Sequence, residues 1–176
     1  MKSLITYNGV IEFEPIDFTK KHKNQSSWKR IAMIMFEGDI CEYYSWFIEK
    51  RYGLKLNKPL RKAHLSLIND SLNDMRKGLE TEDENILEEK WNQVKNKYNG
   101  QRIDVVFDLD VFSKNVHWFL LVDNEHQNEL LNIRKELGLN KPFYDFHMSI
   151  GYATDRNLEH SEYIVNLIKR YGQEFK

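Results

Sequence analysis

The chain has little of what would staple, coordinate or anchor it. Cys41 is the only cysteine among 176 residues, which excludes an intrachain disulfide and a cysteine-built zinc site and fits a reducing compartment. A bound metal would have to use histidines and carboxylates, and the expectation is no metal and no cofactor. Long apolar runs are missing: the longest, such as Ile31 to Phe36, have the length of a strand, against the roughly 20 residues of a membrane-spanning helix. Met1 to Asn8 leads straight into a polar, acidic stretch without the pattern of a secretory signal, so a soluble, cytoplasmic protein with no membrane partner is expected. Three prolines and eight glycines are too few for a loop-rich or disordered chain. No excess of one charge exists either. Lys and Arg total 26 against 27 Asp and Glu, a formal charge of -1, so no global field draws in long nucleic acid; a small anionic ligand in a locally basic pocket remains open. Neither Gly-x-Gly-x-x-Gly nor a Walker sequence occurs.

What is present suffices for one domain over 1–176, with 41% apolar and 13% aromatic residues to fill a core. Ser3 to Phe13 alternates around Tyr7-Asn8-Gly9, and Asn-Gly predicts a short hairpin there. Asp17 to Ser27 reads as a loop and Trp28 to Glu37 as a buried strand. Asp39 is placed to cap a helix whose Ile40, Tyr43, Tyr44, Phe47 and Ile48 form a stripe before Gly53. Arg61 to Asn69 alternates as a strand, and Asp70 to Gly78 reads as a polar excursion. Thr81 and Glu84 have capping-box spacing ahead of a helix with Leu87, Trp91, Val94 and Tyr98 aligned. Strands over Arg102 to Val111 and Val116 to Val122 follow. A helix with Leu130, Leu131, Ile133 and Leu137, a strand over Phe143 to Tyr152 and a last helix over Leu158 to Tyr171 complete an α+β pattern.

Two segments of that pattern are copies. Leu56-Asn57-Lys58-Pro59-Leu60-Arg61-Lys62-Ala63-His64-Leu65-Ser66 and Leu139-Asn140-Lys141-Pro142-Phe143-Tyr144-Asp145-Phe146-His147-Met148-Ser149 agree at six of eleven positions, at a constant offset of 83 residues. Each copy is preceded by an apolar strand, an acidic turn, an amphipathic helix and Gly-Leu. Two related halves with pseudo-twofold symmetry are therefore expected.

Side chains two apart on a strand share a face. His64 with Ser66, and His147 with Ser149, each present an imidazole beside a hydroxyl, while Ala63, Leu65, Leu67, Phe146, Met148 and Ile150 face a core. Related by a twofold, the two His-x-Ser pairs are expected to confront one another across a cleft. Phosphodiester cleavage needs one group to take a proton from the attacking oxygen and another to protonate the leaving oxygen, and imidazoles serve both near neutral pH. The hydroxyls would donate to non-bridging phosphate oxygens.

With these motifs the chain resembles the two-histidine (2H) phosphoesterases, a superfamily carrying one His-x-Ser/Thr motif per lobe on opposing strands of a bilobal α+β fold. Ala63-His64-Leu65-Ser66-Leu67 and Phe146-His147-Met148-Ser149-Ile150 match that pattern. The resemblance implies metal-independent phosphodiesterase chemistry, with His64 and His147 as acid and base and Ser66 and Ser149 as phosphate binders. Within the superfamily, the small size, Tyr7-Asn8-Gly9, Tyr43-Tyr44-Ser45-Trp46-Phe47 and Asp145-Phe146-His147-Met148-Ser149 are most similar to phage anti-CBASS phosphodiesterases, which degrade the cyclic di- and trinucleotide messengers of bacterial immunity. That implies a cyclic oligonucleotide ligand, no protein partner, and action in the cytoplasm of an infected host. Two other readings stand beside it, an RNA 2',3'-cyclic phosphodiesterase or RNA-end-processing enzyme, and a non-catalytic nucleotide sponge.

Position suggests further ligand contacts. Lys62 shares the face of His64 and is a candidate for phosphate; its repeat equivalent, Asp145, is a candidate to orient an imidazole or offset Lys62. Tyr7, Trp118 and Tyr144 are candidates to stack on a base. Arg156, just beyond the second motif, is a candidate for phosphate, and the segment from Thr154 is one for a lid.

Overall fold

The computed structural model describes residues 3–15, 30–59, 61–114 and 116–153. Its first strand, β1 (Leu4–Phe13), is continuous, so the expected Asn8-Gly9 hairpin does not form. Gly9 serves a close approach instead: a Cβ there would stand 2.5 Å from Ile34 Cγ2 and 2.9 Å from Phe36 Cε1, on the neighbouring strand. That neighbour, β2 (Ala32–Phe36), is the inner part of the expected Trp28 to Glu37 strand. Helix α1 (Ile40–Tyr52) follows; Asp39 occupies its N-cap position without a side-chain capping bond, and Gly53 ends it at φ +67°, a left-handed turn that suits glycine.

Strand β3 (His64–Ile68) carries the first motif. The polar stretch after it is a helix, α2 (Leu72–Leu79), fixed by a capping box between Ser71 and Asp74 and by the burial of Met75. Sequence reading missed it because Asp replaces the usual Glu or Gln of that box and the segment is short. Helix α3 (Glu84–Tyr98) is capped by Asp83, not Thr81, and buries Leu87, Trp91 and Val94. Strands β4 (Arg102–Lys114) and β5 (His117–Val122), helix α4 (Asn128–Lys135) and strand β6 (His147–Tyr152) complete the described fold. Phe143 and Tyr144, expected in the last strand, lie in a bend before it. The expected loop over 17–27, the first residues of the Trp28 strand, the lid from Thr154 and the last helix fall outside the described residues.

The six strands form a closed antiparallel barrel in the order β1-β2-β3-β6-β5-β4. This order maps onto itself when each strand is replaced by the one three later. The repeating unit is strand, strand, helix, strand: β1, β2, α1, β3 and then β4, β5, α4, β6. Leu65 of β3 pairs with Met148 of β6, its own equivalent at the 83-residue offset, which is the pairing a local twofold axis requires. The halves, expected as two lobes beside a cleft, thus share one barrel in which the motif strands are neighbours.

One face of the sheet is the core. Ile11, Ile34, Leu65, Met148 and Leu120 follow one another across paired strands, and none exceeds 1% exposure. Each such side chain contributes about 1.5–3 kcal/mol by leaving water. The buried apolar residues of α1, α3 and α4 belong to the same cluster, with Trp91 of α3 edge-on to Phe13 at 5.1 Å.

The second half is tied to the first by Arg134, 1% exposed. Its guanidinium donates to both carboxylate oxygens of Asp70 at 2.7 Å, to the Leu67 carbonyl at 2.9 Å and to the Asn140 carbonyl at 2.8 Å. In the first half, the equivalent Asn57 reaches the end of β6 directly, exchanging backbone bonds with Tyr152.

Two outcomes follow for stability. Arg134→Ala leaves Asp70 and two carbonyls without their donor and should lower the free energy of unfolding by about 3–5 kcal/mol, read by urea denaturation; a loss below about 1 kcal/mol would mean water replaces the guanidinium. Gly78→Ala brings a Cβ to 1.7 Å from the Gly138 carbonyl oxygen, backbone against backbone, and should cost at least the ~1–3 kcal/mol of an overpacked site. A neutral Gly78→Ala melting curve would contradict that contact.

Candidate active site

The Leu65–Met148 pairing fixes where the motifs stand. In an antiparallel pair, stepping back one residue on one strand steps forward one on the other, so His64 lies across from Ser149, and Ser66 across from His147. All four project from the face opposite the core, because Leu65, Leu67, Met148 and Ile150 between and beside them are fully buried. The two pairs expected to oppose each other across a cleft instead form one quartet on adjacent strands, with directly opposed Cα atoms about 4.5–5.5 Å apart. Flanking strands supply an apolar frame: Met35 pairs with His64 and Met33 with Ser66, while Leu121 pairs with His147 and Phe119 with Ser149. The Phe119 ring lies 5.3 Å from that of His147.

Both imidazoles are held in the same way. His64 Nδ1 is 2.8 Å from the Lys62 carbonyl oxygen, and His147 Nδ1 is 2.8 Å from the Asp145 carbonyl oxygen. A carbonyl only accepts, so Nδ1 carries the proton and Nε2 is the atom left to take up or give one. The carbonyls belong to equivalent residues of the two repeats, so the anchoring is duplicated although the side chains, a lysine and an aspartate, are not. Asp145 therefore orients an imidazole through its main chain; its carboxylate binds Lys141 Nζ at 2.7 Å. Lys62 is exposed, in the bend just ahead of β3.

The surroundings of His64 bear on its charge. Burial lowers the pKa of His64 below the usual imidazole value, the nearby charges of Arg61 and His147 lower it further, and the bond to the Lys62 carbonyl works against both. Arg61 is a site residue that sequence reading passed over. Its Nη1 lies 3.6 Å from Met33 Sδ, and Met33 pairs with Ser66, which puts the guanidinium beside the quartet. The repeat carried a signal for it, since Arg61 is the equivalent of Tyr144, itself singled out as a ligand contact.

Other expected contacts separate. Tyr7 is on the core face, its ring 6.4 Å from Phe36 and 6.0 Å from Phe107, with its hydroxyl bonded to that of Tyr44. Trp118 is also on the core side, 5% exposed and 5.7 Å from the Tyr52 ring. Neither is brought to the histidines, because alternation along continuous strands turns both inward. Tyr144 is 67% exposed, edge-on to Phe143 at 4.9 Å, just ahead of the second motif strand. Arg156 lies outside the described residues.

The assembled set holds two imidazoles with matched tautomers, two hydroxyl donors and one guanidinium on a common face. It can move two protons and bind an anion between them. No helix among the described residues is long and apolar enough to cross a membrane. Comparison with family models, curated proteins and solved structures gives no match to the chain.

Proposed function

We propose that the protein is a metal-independent phosphodiesterase of the two-histidine kind, cleaving the 3'-5' linkages of cyclic di- or trinucleotide messengers. The observation that carries this reading is the duplicated Nδ1 anchoring of His64 and His147, which leaves the same ring atom of each imidazole for proton transfer beside two serines. On this reading the barrel corresponds to the two lobes of the 2H fold, joined along β3 and β6.

The ribose 2'-hydroxyl attacks the adjacent phosphorus, the bond from phosphorus to the 5'-oxygen breaks, and a 2',3'-cyclic phosphate end results. One Nε2 accepts the 2'-hydroxyl proton and the other, protonated, delivers a proton to the departing 5'-oxygen. Ser66, Ser149 and Arg61 hold the non-bridging oxygens as charge builds. His64 suits the base, because burial and the Arg61 charge favour its neutral form; His147 is then the acid. Near-zero net charge and a small patch of donors favour a compact ligand over long RNA.

Purified protein in EDTA should open cyclic dinucleotides with multiple turnovers, followed by chromatography, and His64→Ala or His147→Ala should each lower kcat by about 10²–10⁴. Cleavage of RNA 2',3'-cyclic ends alone would move the protein to RNA processing. Saturable binding without turnover would make it a sponge. The role of Arg61 has its own signature. A base with a lowered pKa stays neutral further into acid, so the acidic limb of the kcat/KM profile should have its midpoint below about 6.5. Arg61→Gln should move that midpoint upward, by removing a charge that opposes the imidazolium; an unmoved limb would exclude His64 as the base beside Arg61.

A further inference from the structure

A cavity lies away from the quartet. Strand β1 begins at Leu4, paired with Asp108, but β4 runs on to Lys114. The register between β4 and β5 also slips between Phe107 and Val111, so residues 108–110 bulge from the β4–β5 ladder. Between that stretch and α1 is a cavity of about 390 Å³, lined by Tyr43, Phe47, Arg51 and Tyr52 on one wall and Leu109 and Asp110 on the other, among others.

Its lining has a definite chemistry. Tyr43, Phe47 and Arg51 are spaced four apart and lie one above another on successive turns of α1. Tyr43 is 59% exposed, an aromatic ring that the core does not need. The Arg51 guanidinium sits over the rings of Phe47 at 5.7 Å and Tyr52 at 5.5 Å; a guanidinium stacked through its face keeps its N–H donors at its edge. Opposite, Asp110 is held by its backbone N–H, which donates to Asp108 Oδ1 at 3.1 Å. Aromatic faces accept a planar ring, a carboxylate accepts from two adjacent donors, and the arginine edge suits a phosphate. The volume is at the low end of the ~300–1,000 Å³ of small-ligand pockets, room for one nucleotide unit.

We propose that this cavity is a mononucleotide site selective for guanine, the base stacking on the α1 aromatics with its N1–H and N2–H on Asp110, and the phosphate on Arg51. Adenine presents no such pair of donors on its pairing edge and is the disfavoured base. The site is separate from the quartet, since α1 belongs to the core side of the sheet and the quartet to the other. It does not depend on the phosphodiesterase reading, because a nucleoside monophosphate has no diester linkage to cleave.

Calorimetric titration of the full chain with guanosine 5'-monophosphate, in EDTA, should give one saturable site, with adenosine 5'-monophosphate weaker by about ten-fold or more. Asp110→Asn should erase the preference for guanine. Arg51→Gln should weaken the monophosphate while leaving guanosine unchanged. Both side chains are exposed, so circular dichroism should show folding intact. The double variant His64→Ala/His147→Ala should bind as the wild type does. Absence of saturation, equal affinity for the two monophosphates, or loss of binding in the double histidine variant would each overturn the assignment; the last would place the ligand at the quartet.

Discussion

One backbone pairing, Leu65 to Met148, governs the molecule. It joins β3 to β6 and thereby the two halves, and it pairs a residue with its own repeat equivalent. Side-chain direction alternates along a strand, so a slip of one residue on either strand would turn the whole set to the other face. The imidazoles would then be buried and Leu65 or Met148 exposed. Burying Leu65, Leu67, Met148 and Ile150, all at 0% exposure, is thus what holds His64, Ser66, His147 and Ser149 together on the opposite face. The chemistry of the site is specified by apolar residues that take no part in it.

Much of this was legible in the sequence. The 83-residue repeat marked the two halves, and alternation around each motif separated the core-facing residues from the polar ones. What could not be read was the long-range pairing. Local periodicity carries no information on whether β1 pairs with β4, so a closed barrel and a pair of lobes beside a cleft give the same pattern. Gly9 misled for a related reason: Asn-Gly fits a type I' turn, yet the same glycine fits a strand on which Ile34 and Phe36 rest, and the choice is tertiary. Once the hairpin is discarded, Tyr7 falls into the inward phase with Ile11 and Phe13. Arg61 was hidden because the strand was read as starting there, which turned Arg61 to the core face with Ala63 and Leu65; β3 starts at His64, and the reach of Arg61 to Met33 places it beside the quartet.

The repeat also separates what symmetry keeps from what it lets go. Lys62 and Asp145 have opposite charges, but each supplies a carbonyl to the Nδ1 of the histidine two residues on. A main-chain acceptor is indifferent to the side chain it carries, so the tautomer of both imidazoles survives divergence at this position. Met35 beside His64 against Leu121 beside His147, and Met33 beside Ser66 against Phe119 beside Ser149, show the same freedom in the apolar frame.

Perfect symmetry would be a handicap to the proposed reaction. Two imidazoles in equivalent surroundings would take up protons with equal intrinsic affinity, and at no pH would one ring be singled out as base and the other as acid. A working pair needs environments that push the two apart. Arg61 and Tyr144, equivalent in the repeat, supply that difference: a guanidinium disfavours the imidazolium of His64, while the position matching it ahead of His147 holds an exposed aromatic ring with no charge. In the proposed reaction the same substitution gives the site a direction, with the phosphate toward Arg61 and a base toward Tyr144. In the proposed reaction a duplicated scaffold thus supplies the two proton carriers, and its departures from symmetry decide which carrier does which.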